Sequence, residues 1–479
     1  MIFSSSTFIV FFFALLALYL CANTQKQRAG ILLAGSLIFY GSWKLAYVPL
    51  FFFSLAFNYW IYKSLLKNKS KYILWIAIVA DLAVLAFFKY LVLFTESAFW
   101  FLNLAGVSVV SDTPSWMDWA LPLGISFFTF QMISALVDVY KGDWDYDITF
   151  AKWCLYVSFF PQLIAGPIVR AHILIRQLDD LKPVKMIDLR LGAVIFVGGL
   201  IKKVLFADNI GPIVDEMYAQ PEQLTFFLAW VATLGFALQI YFDFSGYSEM
   251  ALGLARMFGI SLPRNFLYPY ISRNFPEFWR RWHITLSQWL RDYLYIAMGG
   301  SRCSTYRTYQ NLLVTMLLGG LWHGAGWGFV FWGFLHGMYL IGHRLLVIFY
   351  ERVKIIPESN QGRVLSWLGI PLTFVLVNFA WVFFRAGDFS DAMQIVYAMC
   401  GLAEVTGSSP TIRLYQLILL ALGYVIIFTE PWIVKQGVRL SENWWWNIPF
   451  PVRGVVYASL VLGLVVFGGA TQKFVYFDF

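Results

Sequence analysis

Of 479 residues, 60% are hydrophobic, 20% aromatic and only 13% charged. Soluble domains carry roughly 45–50% apolar and about 25% charged residues. With a mean hydropathy of +0.67, this composition excludes a water-soluble enzyme, a disordered regulator and a coiled coil, and leaves an integral membrane protein. The formal charge is +8, from 35 Lys and Arg against 27 Asp and Glu, with no long basic run. That argues against nucleic acid and for cytoplasmic loops facing anionic lipid. Cys21, Cys154, Cys303 and Cys400 are far apart and form no CxxC, so the sequence points to neither a disulfide framework nor a zinc site.

A membrane-crossing helix needs about 20 mostly apolar residues. Taken in chain order, the apolar runs predict spans near 5–22, 29–46, 48–64, 72–95, 119–139, 150–168, 188–206, 222–242, 308–321, 324–350, 365–385, 412–432 and 452–470. The Met1 end has no basic region and no small-residue cleavage site, and reads as an uncleaved first span. Lys26 and Arg28 lie between the first two spans, and Lys63, Lys67, Lys69 and Lys71 between the third and fourth. Glu96, Asp112 and Asp118 follow the fourth without Lys or Arg. By the positive-inside rule the basic loops are cytoplasmic and the N-terminus is extracytoplasmic, with Lys44 as a counterexample. Pro122 and Gly124 in LPLGISFFTFQ, and Pro161, Gly166 and Pro167 in FFPQLIAGPIVR, interrupt apolar segments. They mark either proline kinks or re-entrant elements around an internal chamber. No internal repeat is visible, which weakens a transporter built from inverted repeats.

Ionisable residues within apolar segments crowd into 241–337, and such residues are either functional or paired. Asp243, Glu249 and Arg256 fall in YFDFSGYSEMALGLAR, where a buried ion pair locking helices is the preferred reading. In the next stretch Asn274 suits a helix cap, Pro276 its first turn and Glu277 the capping-box position. Trp279, Trp282, Leu286, Trp289 and Tyr293 then recur at helical spacing, interleaved with Arg280, Arg281, Arg291 and Asp292. That pattern predicts one basic, Trp-rich helix lying at the membrane surface. His283 within it reads first as a hydrogen-bonded packing residue. His323 differs: it is flanked by Gly319, Gly320 and Gly324 inside NLLVTMLLGGLWHGAGW. Those glycines allow close backbone approach, and imidazole titrates near neutrality, as a general base requires. His172, His283, His323, His336 and His343 include no pair three or four apart and no HExxH, so no metal site is expected. GxSxG, P-loop and dinucleotide motifs are also lacking.

The run EFWRRWHITLSQWLRDYLYI, the GG that follows, and NLLVTMLLGGLWHGAGW resemble the membrane-bound O-acyltransferase (MBOAT) family, in its bacterial branch of alginate and peptidoglycan O-acetylation proteins. MIFSSSTF, LPLGISFFTFQ, FFPQLIAGPIVR and YFDFSGYSEMALGLARMFGI share the likeness, which runs from residue 1 to about 345 and returns at the last six residues. The resemblance implies an all-α polytopic fold, a ring of about 11–13 tilted and re-entrant helices around a central tunnel. It implies a single domain over 1–479, with N-terminal spans at 1–118, a catalytic core at 119–345 and C-terminal spans at 346–479. His323, in the WHG motif, would be the principal catalytic residue and His283, in the RWH motif, the second. Trp322, Trp282, Asp243, Arg281 and His336 are candidates for the donor tunnel, Asp243 as a structural partner only. The closing KFVYFDF places Phe474, Tyr476 and Phe479 in an FxYxxF pattern. It is either an aromatic interfacial belt or, as in related cell-wall acylation systems, a segment whose Tyr476 relays the acyl group.

The expected activity is transfer of an acyl group, taken to be acetyl, from a cytoplasmic thioester donor such as acetyl-CoA across a bacterial inner membrane. No bound cofactor is expected. The final acceptor would be an extracytoplasmic polysaccharide such as alginate, peptidoglycan or cellulose, modified by a separate periplasmic SGNH-type transferase. The alternatives are D-alanyl transfer to teichoic acid and a non-enzymatic transporter or scaffold of a secretion complex. A transporter would run on an ion gradient without consuming a donor, and a scaffold would tolerate loss of His323.

Overall fold

The computed structural model describes residues 1–107, 120–352, 360–441, 448–467 and 474–475. Local chemistry starts the first helices where the sequence asks for them. Ser5 accepts the Phe8 N–H to cap α1 (Ser6–Leu20), and Thr24 and Gln27 form a capping box at α2 (Gln25–Gly41), each satisfying N–H groups that a helix start leaves over. α3 (Val48–Lys67) begins on Pro49, and α4 runs Lys71–Leu104. Then come α5 (Ile125–Lys141), α6 (Phe150–Ser158), α7 (Phe160–Leu163), α8 (Ala171–Leu178) and α9 (Met186–Ile201). A π-helical turn, Lys202–Ala207, leads into α10 (Asp208–Tyr218) and α11 (Phe226–Met257). The remainder is α12 (Phe275–Arg281), α13 (Ile284–Trp289), a second π-turn at Leu290–Tyr295, α14 (Thr305–His323), α15 (Trp327–Arg352), α16 (Asn360–Arg385), α17 (Phe389–Met399), α18 (Leu414–Ser441) and α19 (Phe450–Phe467). There is no strand among the described residues. The protein is an all-α polytopic membrane protein, and its helices carry apolar side chains to the outside, such as Val10, Phe13, Trp75 and Leu422, as lipid contact permits.

The chain forms two compact units, Met1–Val197 with Ser248–Pro263, and Gly198–Tyr247 with Arg264–Phe479. Among the described residues, six stretches are long and apolar enough to cross a membrane: Leu45–Lys67, Lys71–Leu104, Phe226–Met257, Trp327–Arg352, Ser366–Arg385 and Leu414–Trp432. The run expected to span 150–168 does not do so as one helix. α6 stops at Ser158, the buried Phe159 leaves the helical conformation, and α7 makes a single turn over Pro161. The freed groups find partners inside the first unit. Ser36 Oγ accepts the Phe160 N–H at 3.1 Å, and the Gln131 and Gln162 side-chain amides both donate to the Tyr156 carbonyl at 2.8 and 2.7 Å. Broken backbone is tolerated here because it is buried in protein. Gly124 is needed at the start of α5 for two reasons. Its φ is +67°, and a Cβ there would lie 2.3 Å from the Leu163 carbonyl oxygen.

In the first unit, Asn58 on α3 donates to the buried Asp81 on α4 at 2.8 Å. Arg28, read from the sequence as a loop charge, is buried and donates to the Leu181 and Ala22 carbonyls. Lys63 and Lys69 pair with Asp147 and Asp145. The second unit is built on an aromatic core that includes Tyr241, Tyr270, Trp282, Trp332, Trp381 and Phe384.

Candidate active site

His323 and His283 reach the core of the second unit by different routes. His323 is the last residue of α14. The helix stops there because Gly324 takes an extended conformation, with φ −159°. α14 is pressed onto α15 through Gly320, where a Cβ would lie 2.2 Å from the Phe329 carbonyl oxygen. The close approach expected of the glycines around His323 is therefore an approach of the next helix. The His323 side chain is only 3% exposed.

The stretch around His283 differs from its sequence reading. The predicted cap is present: Asn274 Oδ1 accepts the Glu277 N–H at 2.9 Å, and the Glu277 carboxylate accepts the Arg273 N–H at 2.8 Å. However, the predicted single helix breaks after about two turns. Trp282 is extended and His283 sits in the left-handed region, at φ 39° and ψ 56°, before α13 resumes. Such a conformation costs of order 1–3 kcal/mol in a non-glycine residue and persists only where its surroundings impose it. Asn265 supplies that imposition. Its carbonyl accepts the Ile284 N–H at 2.9 Å, and its Oδ1 accepts both the Thr285 N–H at 3.2 Å and the Thr285 hydroxyl at 2.7 Å. The Leu267 N–H donates to the Arg281 carbonyl at 3.0 Å. The stretch buries its apolar side and His283 with it: Phe278, Trp282, His283 and Leu286 are buried, while Arg280, Gln288 and Arg291 are exposed. Helical spacing of apolar residues continues on both sides of this two-residue break, so periodicity alone does not report it.

The break brings the two imidazoles together, with ring centroids 6.4 Å apart. At that separation no nitrogen of one ring comes closer than about 4 Å to a nitrogen of the other, beyond direct hydrogen-bond reach. Trp322 contacts His323 at 5.1 Å and His283 at 6.0 Å. Trp332 and Phe384 meet His323 at 5.1 and 5.3 Å, and the edge of Phe244 meets His283 at 4.6 Å. His283 lies outside the spanning helices, and burial pushes its imidazole down to about 3, so it is neutral at physiological pH.

His336 lies fully buried between Trp332 at 4.6 Å and Trp279 at 5.1 Å. Neither of its nitrogens, nor the indole N–H of Trp279, Trp282 or Trp332, has a hydrogen-bond partner among the described residues. Each such buried group costs about 1–3 kcal/mol, and their concentration beside the histidine pair suits a place that receives a polar guest. Among the described residues no three His, Cys, Asp or Glu side chains are grouped to hold a metal ion.

A model of the membrane-bound O-acyltransferase family matches residues 40–383, which include both paired histidines. The chain belongs to that family. It is a multi-pass membrane acyltransferase, and an acyl donor is one of its substrates. It is 38% identical to a probable alginate O-acetylase AlgI of Azotobacter vinelandii, over 89% of this chain and 84% of that protein. It is 37% identical to a peptidoglycan O-acetyltransferase of Helicobacter pylori, over 78% of this chain and 74% of that protein. A teichoic acid D-alanyltransferase of Bacillus subtilis is more distant, at 26% over 56% of this chain and 69% of that protein.

The other candidate residues of this acyltransferase have definite places. Arg281 pairs with Glu277 at 2.7 Å and donates to the Tyr268 carbonyl. The helix-locking ion pairing expected of Asp243, Glu249 and Arg256 is present at Asp243 and Arg256. α11 continues past 242 and carries all three; Asp243 binds Lys203 at 2.6 Å, and Arg256 binds Asp188 at 2.7 Å. Tyr476 lies outside the described residues. Sequence reasoning missed Asn265, Lys203, Asp208, Trp332 and Phe384. Lys203 carried a usable signal, a charge inside the apolar run 188–206. The aromatic residues carried none, since large apolar residues are everywhere in this chain.

Proposed function

We propose that this enzyme is an O-acetyltransferase of the bacterial inner membrane, with its N-terminus extracytoplasmic and the whole chain acting as one polytopic domain around a 119–345 core. Acetyl-CoA enters from the cytoplasm. The observation that carries the reading is the fully buried His283 ring lying 6.4 Å from the buried His323 ring. His323 takes the proton from an acceptor hydroxyl as that oxygen attacks the thioester carbon. The tetrahedral oxyanion is held by nearby donors, His283 among them. It collapses by expelling the CoA thiolate, which recovers the proton from His323. Trp322, Trp282, Arg281 and His336 line the donor's path, and the Trp282 indole N–H and the His336 imidazole, without a hydrogen-bond partner among the described residues, give it polar contacts. Tyr476 is the first acceptor, and its acetyl ester is passed to a separate SGNH-type transferase and then to an extracytoplasmic polysaccharide. Similarity to an alginate O-acetylase and a peptidoglycan O-acetyltransferase supports a polysaccharide as that final acceptor.

The test is donor turnover in proteoliposomes supplied with radiolabelled acetyl-CoA, with intact-protein mass spectrometry for an acetyl adduct. Loss of the base in His323→Ala is expected to slow turnover by about 10²–10⁴-fold, and Tyr476→Phe to abolish the adduct. Turnover that survives His323→Ala refutes the assignment of the base. No turnover in wild type with candidate partners present would favour transport or scaffolding instead.

A further inference from the structure

The relay reading leaves unexplained how Tyr476 would be held for attack, and a buried charge cluster on the helix that also meets His283 supplies a means. Asp243 is 1% exposed, and both of its oxygens are used. Oδ1 meets Lys203 Nζ at 2.6 Å, and Oδ2 accepts the Val475 backbone N–H at 2.7 Å, from a residue 232 positions away. Lys203 also meets Asp208 at 2.7 Å. One ammonium is thus shared by two carboxylates. A buried lysine needs only one, and each further buried charge is costly unless something else is bonded to it. Here the surplus acceptor capacity goes to the tail. A hydrogen bond from a neutral N–H to a carboxylate is about twice as strong as one between neutral groups.

The local backbone is arranged for this contact. Lys203 belongs to the π-helical turn Lys202–Ala207, and Asp208 immediately follows it. Such turns insert one extra residue into a helix and recur at functional sites. Phe474 provides a second anchor. It is fully buried, 4.8 Å from Tyr247 and 5.9 Å from Phe244. Phe244 is the ring whose edge meets His283. Adjacent residues of one α11 turn, Asp243 and Phe244, therefore hold the tail and touch the histidine pair.

We propose that Lys203, Asp208 and Asp243 form an ionic seat for the C-terminal segment, and that Asp243 is a positioning residue that anchors this segment at Val475 for the transfer reaction. The proposal rests on the relay reading of Tyr476 for its catalytic consequence, but not for the seat itself. Seating the tail turns a collision with a loose chain end into a reaction between held groups, the source of large effective molarities.

Val475→Pro tests this in the full-length protein. It deletes the N–H that Asp243 accepts and leaves the three charged side chains intact, while Val475→Ala keeps the N–H and sets the baseline for losing the side chain. Hydrogen–deuterium exchange of the C-terminal peptide in lipid nanodiscs reads the seat, and acetyl transfer in proteoliposomes reads its consequence. In Val475→Pro, relative to Val475→Ala, exchange should rise and kcat fall by about tenfold or more, the scale of one charge-assisted hydrogen bond, with KM for acetyl-CoA unmoved. Asp243→Asn, which keeps an acceptor but not the charge, should fall between the two. Unchanged exchange of the tail in Val475→Pro overturns the seat. Raised exchange with normal transfer overturns its positioning role. If Tyr476→Phe is inactive while Val475→Pro transfers normally, the relay stands and this inference falls. If Tyr476→Phe transfers normally, the relay falls, and tail exchange still decides the seat.

Discussion

Gly320→Ala is the smallest change that should disable the site without touching it. A Cβ at Gly320 would lie 2.2 Å from the Phe329 carbonyl oxygen and 3.1 Å from the Gly333 Cα. Both are backbone atoms of α15, so no rotamer change relieves the clash. Ordinary carbon–oxygen contacts begin near about 3.3 Å, so α14 and α15 must part by roughly 1 Å at this level. Overpacking of this kind costs about 1–3 kcal/mol. His323 is three residues further along α14 and moves with it. A 1 Å misplacement of a reacting group costs on the order of 10²-fold in rate. Gly342→Ala is the matched control. It lies on α15 with nothing within 4 Å of its added Cβ, and a helical Gly-to-Ala change there should be neutral or stabilising by up to about 1 kcal/mol. Thermal melting in detergent and acetyl-CoA turnover in proteoliposomes would be measured for both. If Gly320→Ala melts with wild type and keeps its turnover, the helix contact does not place His323 and the argument fails.

Two further outcomes are expected. Asn265→Ala removes the acceptor of both the Thr285 N–H and its hydroxyl. It should cost about 1–3 kcal/mol for the buried groups left unpaired and lower turnover by relaxing the left-handed turn at His283; a variant with wild-type melting and rate would refute that role. His283 has its folded value lowered to about 3, so the unfolded chain binds a proton below about 6.5 that the folded one refuses. Stability should therefore fall as pH drops from about 6.5 towards 3, by up to about 1.4 kcal/mol per unit from this residue. His283→Gln should show a shallower loss over that window in melting measured across pH; an identical slope would mean the imidazole is not held neutral.

Much of the fold could be read from the sequence. Apolar run lengths located the long helices, and Ser5, Thr24 and Asn274 each begin a helix as caps should. The likeness around the RWH and WHG motifs led to the right family. What the sequence misjudged were places where one backbone leans on another. The helix through His283 was expected to be continuous because hydrophobic spacing has the same period on both sides of Trp282. The break exists because Asn265, eighteen residues earlier, satisfies the groups it frees. A buried ion pair locking helices was expected at the charged residues of α11, and Asp243 forms one, but its partner, a lysine forty residues upstream, is not written in the local sequence.

Taken alone, the sequence determined that the chain lives in a membrane, that it is helical, and that His323 sits among small residues where another chain can come close. Those properties follow from composition, run length and residue size, which act locally and need no partner. Only the tertiary structure decided that His283 faces His323 rather than a membrane surface, that α15 is what approaches Gly320, and that Asp243 holds the backbone of Val475. Each of these is a contact between segments distant in the chain. Such contacts form because buried polar groups must find partners somewhere, and composition and spacing do not say where.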